Sequence, residues 1–291
     1  AGKSPWLLED TVASAFVRRM IETPGVAATG DSMSGVLSRR RLLVAATLMA
    51  RRFAKIPENH VGVMLPASVA ADIVFYAMHL AGKIPVMMNW TTGPSGLAHG
   101  IQVTGVRTVV SSSRLVDRLG ITIEGAEYVF LEDVKKSIGK IEALGVLART
   151  YVWPSSFLNS VPRQSERDTA VFLFTSGSES TPKTVPLTHL NLLTNIHDSL
   201  AVLEPDHTDS LLGFLPPFHS FGLTGNVLLP QLSGIRSVRY ADPTDASGLV
   251  RLISTYKPSL LFTTPTFLGY ILANAAGDEL QSLRKIITGA E

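Results

Sequence analysis

Strand-length apolar runs alternate along this chain with stretches of helical periodicity, and this alternation restricts it to an α/β fold. Residues 61–65 (Val-Gly-Val-Met-Leu) are one such run, closed by Pro66. Ser68 is placed to cap the helix that follows, which stays apolar nearly all round to Leu80 and so belongs inside. Residues 83–88 and 107–111 read as the next strands, and 170–174 is an unbroken apolar run that ends in Thr, Ser and Gly. Behind a Thr188 cap, Leu193, Ile196, Leu200 and Leu203 recur at helical spacing. Residues 210–215, 236–240 and 260–263 are further strands, and Leu249, Val250, Ile253 and Tyr256 share one face of the helix between the last two. Thr264 as N-cap, Pro265 at the first helical position and Gly277 past the end bracket another helix; residues 284–287 begin a final strand. The strands are uniformly apolar rather than alternating, which predicts mainly parallel sheets covered by helices on both faces. The polar stretch 161–167, which contains Pro162, reads as a hinge between two lobes at about 36–160 and 168–291.

Composition narrows the class further. At roughly 150 residues per domain, 291 residues suit two domains or one large α/β unit. Hydrophobic residues make up 45% of the chain and charged residues 17%, which excludes intrinsic disorder. With 26 Lys+Arg against 24 Asp+Glu and no long run of one sign, nucleic acid is not an expected partner. Cysteine is absent, so a disulfide framework, Cys-ligated zinc and a cysteine nucleophile are excluded, and a reducing cytosol fits. No secretory pattern is visible over residues 6–20, where Glu9, Asp10, Arg18 and Arg19 interrupt the apolar residues. The greasy stretches 61–80 and 211–230 contain Pro66 and Asp72, and Pro216, Pro217 and His219, so each reads as strand plus buried helix rather than membrane span. Arg39, Arg40, Arg41, Arg51, Arg52 and Lys55 crowd one helix around an apolar centre. That helix is either a solvated element with charged ends or a docking patch for an acidic partner.

The segment richest in chemistry is Thr175-Ser176-Gly177-Ser178-Glu179-Ser180-Thr181-Pro182-Lys183. It leaves the carboxyl end of a buried strand, where open α/β sheets hold ligands. Its hydroxyls, backbone N–H groups and one lysine suit phosphate oxygens, which need several donors and charge compensation. The alternative is an ordinary Ser/Thr-rich turn. Gly177 to Lys183 has the Walker A interval with Thr184 behind it, but Pro182 stands at the second glycine and removes an N–H from the cradle. Pro186 falls where the phosphate-binding helix would take its first turns, at a cost of roughly 3 kcal/mol in a helix interior. These two prolines exclude Walker A.

The same segment resembles the phosphate loop of adenylate-forming enzymes: acyl-CoA synthetases, acyl-carrier-protein synthetases, luciferases and peptide-synthetase adenylation domains. Thr188-His189-Leu190-Asn191 follows at the family distance. Leu215-Pro216-Pro217-Phe218-His219-Ser220-Phe221-Gly222, then Thr264-Pro265-Thr266-Phe267-Leu268-Gly269, then Thr288-Gly289-Ala290-Glu291, resemble the later core segments in family order. Met64-Leu65-Pro66 and Pro85-Val86-Met87-Met88-Asn89 resemble the first lobe, so coverage runs from about residue 36 to the end. Ser178-Glu179, the Phe218–Gly222 run and Thr266-Phe267-Leu268-Gly269 look most like the acyl-carrier-protein synthetase half of 2-acylglycerophosphoethanolamine acyltransferases, and so link the chain to phospholipid metabolism.

The resemblance implies an ATP-dependent ligase that converts a fatty acid to acyl-AMP and passes the acyl group to acyl carrier protein, with acyl-CoA ligase or a non-catalytic nucleotide- and acyl-binding module as alternatives. It implies that Thr175, Ser176, Gly177, Ser178, Glu179, Ser180, Thr181 and Lys183 line the triphosphate and that Gly289, Ala290 and Glu291 lie along the adenine. His219 would sit at the acyl carboxylate as the catalytic residue, with Phe218 and Phe221 as apolar walls of the substrate site. His189 would help start a helix and Phe267 would be core. Glycine stands in the family where Ser180 and Thr184 stand here, and its replacement restricts φ/ψ and crowds close approach to phosphate. The family's Mg²⁺ segment, ribose-binding aspartate and lysine-bearing C-terminal domain have no counterpart in these residues, and no His-x4-Asp acyltransferase motif occurs. The fold expected is therefore an incomplete adenylate-forming N-terminal domain that does not complete adenylation alone. It would be cytoplasmic or at the inner face of a membrane, attached only through parts outside this sequence.

Overall fold

In a computed structural model, which describes residues 9–175 and 182–290, the chain forms two six-stranded sheets covered by helices. The first sheet uses β3 (His60–Met64), β4 (Ile84–Met87), β5 (Thr108–Ser111), β6 (Glu127–Phe130), β7 (Thr169–Phe174) and β8 (Thr184–Thr188), in the order β6-β5-β3-β4-β7-β8. The second uses β1 (Ala27–Asp31), β2 (Gly35–Ser38), β9 (Ser210–Gly213), β10 (Arg236–Arg239), β11 (Leu260–Thr263) and β12 (Lys285–Thr288), in the order β12-β11-β9-β10-β1-β2. Every neighbouring pair is parallel except the edge pairs β7–β8 and β1–β2, and each of those two antiparallel pairs carries a register shift. Bulges of this kind are common at sheet edges, where they twist the strand and limit further pairing.

The helices are α1 (Val12–Glu22), α2 (Arg39–Phe53), α3 (Val69–Leu80), α4 (Gly93–Thr104), α5 (Ser113–Leu119), α6 (Leu131–Lys136), α7 (Lys140–Val152), α8 (His189–Leu203), α9 (Ser220–Gly222), α10 (Leu229–Ser233), α11 (Ala246–Tyr256) and α12 (Pro265–Asn274). The caps follow the residues predicted for them: Ser68 accepts from Ala71 N, Thr188 from Asn191 N in a capping box, and Thr264 from Phe267 N with Pro265 behind it. Between α9 and α10 the residues Leu223–Leu228 form a π-helix. Among the described residues no helix is long and apolar enough to cross a membrane.

The expected division at 161–167 is not a boundary between sheets. That stretch leads into β7 of the first sheet, while β1 and β2, from the beginning of the chain, sit on the edge of the second. β6, β8 and the β1–β2 hairpin have no counterpart among the predicted strands. The helix bracketed by Thr264 ends at Asn274, before Gly277, because Ala275 turns to extended backbone.

Two buried connections tie the halves together. Asp72 on α3 accepts from Arg239 Nε on β10 and from Thr29 Oγ1 on β1, both at 2.9 Å, and the Asp72 and Arg239 side chains are each 1% exposed. Burial pushes the Asp72 carboxyl above the usual carboxylate range although Arg239 opposes the shift. Tyr76 on the same helix stacks on Phe16 at 4.0 Å and donates its hydroxyl to Val227 O in the π-helix.

The basic helix is covered by α7 along part of its length, while Arg41 and Lys55 stay exposed. Arg39 is buried and donates to Gly234 O and Thr23; Arg52 pairs with Glu142 on α7 at 2.6 Å and Arg51 reaches the same carboxylate at 3.1 Å. Arg40 lies over the Tyr151 ring at 3.7 Å. α7 supplies the partners that the sequence pattern of α2 alone does not reveal.

Candidate functional site

β7 ends at Phe174, whose ring fills the space beside Gly100, where a Cβ would come within 3.0 Å of Cζ. The chain returns as β8, and Thr175 N donates to Lys183 O at 3.0 Å, closing the two ends of the 175–183 segment into a hairpin. Thr175 and Lys183 are exposed at its base. A strand after the lysine is incompatible with the strand–loop–helix of a Walker cradle, and Pro186, exposed on edge strand β8, stands where a ladder donor is dispensable. Thr184 Oγ1 is buried with no hydrogen-bond partner among the described residues. The predicted residues Ser176, Gly177, Ser178, Glu179, Ser180, Thr181 and Glu291 lie outside the described residues.

The second segment follows β9. Phe214 and Leu215 are buried, and His219 N donates to Pro216 O, turning the chain into α9. The turn is tight: a Cβ on Gly222 would run into the Pro216 carbonyl. Phe218, expected as a wall of the substrate site, is 1% exposed and packs edge-on against Trp90, which follows β4 of the other sheet, at 4.4 Å. His219 is exposed, with its ring 4.5 Å from that of Phe218. Lost solvation lowers its pKa below the usual imidazole value. His189 does more than start a helix: it is buried, and its Nδ1 accepts from Val12 N at the start of α1. Phe267 is partly buried and packs edge-on against Phe214.

Beyond α9 a cavity of about 570 Å³ opens between α8, the π-helix and the ends of β11 and β12. Phe221 and Ala290, 69 positions apart in the chain, both line it, and a Cβ on Gly289 would meet the Phe221 ring at 3.7 Å. Phe221 in turn sits edge-on to Phe262. His219 and Phe218 are not lining residues, but Ser220, next to His219, is. Leu187 of β8 joins the lining, and the four steps from Lys183 to Leu187 span about 13 Å of extended chain. The hairpin and the cavity therefore adjoin through β8.

The sequence reading misses the α8 side of this cavity. Asn191, Asn195 and Ser199 recur at i, i+4 and i+8 beside the buried Leu192, Ile196 and Leu200. A stripe of small polar residues next to an apolar one was the available signal. Thr224, Gly225 and Phe262 complete the opposite wall, where Gly225 leaves no room for a Cβ against the Phe262 ring. Among the described residues no group of three or more His, Asp or Glu is gathered to hold a metal ion. The exposed Lys183 ammonium and Thr175 hydroxyl at a sheet's carboxyl end do fit phosphate.

Residues 24–291 match the family model described as AMP-binding enzyme. The probable 4-coumarate–CoA ligase 3 of Dictyostelium discoideum is 26% identical over 246 residues, 79% of this chain and 44% of that protein. The long-chain-fatty-acid–CoA ligase of Haemophilus influenzae is 25% identical over 244 residues, 74% of this chain and 43% of that protein. The chain thus spans less than half the length of these curated relatives. The fatty acid AMP ligase of Legionella pneumophila superimposes with a TM-score of 0.80 at 18% identity, over 100% of this chain and 51% of that one.

Proposed function

This chain belongs to the AMP-binding enzyme family, and on that premise we propose that it is the part of an ATP-dependent acid–thiol ligase that holds the acid and the phosphates. The observation that carries this reading is the cavity in which Phe221 and Ala290 share one lining. They come from the two segments whose resemblance assigns one to the acid and the other to the adenine. A carboxylate is a poor acyl donor. Attack of its oxygen on the α-phosphorus of ATP forms the acyl–phosphate bond and releases pyrophosphate; attack of a thiol then releases AMP. Lys183 and the hydroxyl-rich hairpin would bind and neutralise the phosphates, which matters most as negative charge builds on the departing pyrophosphate. His219, exposed beside the Phe218 ring, would orient the acid carboxylate through a ring N–H. Phe221, Phe262 and Leu229 offer apolar surface to a chain or ring.

A fatty acid as substrate is supported by the apolar lining and by the fatty-acid ligases among the similar proteins. For the thiol, the similar CoA ligases favour CoA, while Ser178-Glu179 and the Phe218–Gly222 run favour acyl carrier protein. The test is to incubate the full-length protein with ATP, Mg²⁺ and palmitate. We expect exchange of labelled pyrophosphate into ATP that depends on the acid, and a thioester on CoA when CoA and holo-acyl carrier protein compete. Thioester on the carrier protein alone moves the acceptor to that partner; absence of acid-dependent exchange overturns the ligase reading and leaves a binding module.

A further inference from the structure

α7 is amphipathic in the reverse sense to a helix that merely covers a sheet. Its inner side buries Val146 and Thr150. Its outer side carries Ile141, Leu144, Ala148, Tyr151 and Val152, residues whose spacing puts them within an arc of about 120° at 100° per residue. Ile141 and Val152 are 88% and 85% exposed, and Leu144, Tyr151 and Trp153 are each 64% exposed. Solvent-facing helix surfaces are normally polar, and an apolar stripe of this length marks a contact site.

The charges around the stripe identify the chemistry of what covers it. Lys135 and Lys140 are exposed at its amino end beside the Lys136–Asp133 pair, and from α2 Arg40 lies over Tyr151 while Arg51 and Arg52 together outnumber the one Glu142 carboxylate they meet. The nearby carboxylates are already engaged: Glu142 by Arg51 and Arg52, Asp133 by Lys136 at 3.0 Å, and Glu132 by Ser113 N. A basic rim therefore surrounds aliphatic side chains that end in a tyrosine and a tryptophan. That arrangement matches an anionic bilayer surface, where aliphatic groups enter the acyl boundary, Tyr and Trp sit at headgroup level, and Lys and Arg meet lipid phosphates. A second copy of the chain is disfavoured, because pairing two such faces brings like charges together.

We propose that the outer face of α7, with Trp153, docks in the plane of an anionic lipid bilayer. Attachment then belongs to this chain's own surface and not only to parts outside it. The proposal is independent of the cavity.

The experiment is flotation of the full-length protein with vesicles of phosphatidylcholine and phosphatidylglycerol in equal parts, against vesicles of phosphatidylcholine alone. We expect flotation with the anionic vesicles, weakened by salt, and a blue shift of emission that Trp153→Phe abolishes. Ile141→Ser/Leu144→Ser should lower the partition coefficient about tenfold by removing the largest buried groups, and Lys136→Glu/Lys140→Glu should lower it while leaving thermal unfolding unchanged. Flotation that neither double variant alters overturns the proposal, as does equal binding to both vesicle types. A concentration-dependent dimer that Ile141→Ser/Leu144→Ser dissociates, without vesicle binding, overturns it in favour of self-association.

Discussion

The hairpin after β7 and the turn after β9 both leave the carboxyl ends of strands, but they are held in opposite ways. The first sits near an edge of its sheet, with Thr175, Lys183 and Pro186 exposed and Thr175 N bonded to Lys183 O at its base. The second leaves an interior strand and, His219 and Ser220 apart, is closely packed: Phe214, Leu215 and Phe218 are buried, Trp90 of the other sheet covers Phe218, and Gly222 touches the Pro216 carbonyl. The difference separates two kinds of work. The described base of the hairpin lies outside the packed frame, whereas the turn is part of the seam between the sheets and fixes the cavity wall. Substitutions on the seam should therefore unfold the protein, and substitutions on the hairpin should leave it folded.

The largest effect should come from the seam. Arg239→Met leaves Asp72 buried without its cation, and breaking a buried pair from one side costs about 3–5 kcal/mol. Asp72→Leu/Arg239→Met removes both charges and should recover most of the loss, because the pair's own attraction is largely offset by the cost of burying it. Urea unfolding of the two variants beside the parent measures this. A loss below about 1 kcal/mol in Arg239→Met would show that the seam does not depend on the pair.

The parallel strands other than β1 and β6 were legible because burial on both faces leaves an unbroken apolar run, as in 61–65 and 260–263. Apart from β12 the edges were not, and β6, which opens on Glu127 and buries no residue, was missed with them. β1 and β2 bury little beyond Ala28 and Thr29, and β8 contains Pro186, which counts against a strand unless its donor side faces out. The lobe division at 161–167 does not coincide with the sheet boundary, because the first sheet continues through β7 and β8 and the second takes its β1–β2 edge from the beginning of the chain. At the site, local motifs pointed to Phe221, Gly289 and Ala290, but only the folded chain brings the Asn191–Ser199 stripe of α8 against them. Phe218 shows the limit of motif reading, since a residue inside a recognised segment can serve as its packing rather than its surface.

A smaller effect tests a link that crosses between these regions. His189, directly after β8, accepts from Val12 N, and burial lowers its pKa from 6.5 to about 4. Burial also holds the neighbouring His79 well below its ordinary value, with His189 adding to the shift. Both folded-state values are depressed, so the unfolded chain binds more protons in this range. The stability is fully present above pH 6.5 and is lost as pH falls toward 4, by about 3 kcal/mol for His189. His189→Asn keeps an acceptor for Val12 N but does not titrate, so its stability should fall less steeply over that interval. Parallel curves for the two proteins in urea titrations at several pH values would exclude His189 as the source.

The smallest effect on stability should be at the hairpin, and it bears most directly on the contrast. Lys183 is exposed, and the bond it contributes to closing the hairpin is made by its backbone carbonyl, which any side chain preserves. Lys183→Ala should therefore change the free energy of unfolding by no more than about 0.5 kcal/mol. Its effect on nucleotide should be far larger, because a charge-assisted contact to phosphate is worth about 1.5–3 kcal/mol and its loss weakens ATP binding roughly 10- to 100-fold. Lys183→Arg keeps the charge but not the compact ammonium, so it should recover part of the binding. Unfolding and ATP titration on the same preparations separate the two quantities. If Lys183→Ala destabilises as much as Arg239→Met, the hairpin belongs to the packed frame. If it leaves both unfolding and ATP binding unchanged, the hairpin does not hold the phosphates.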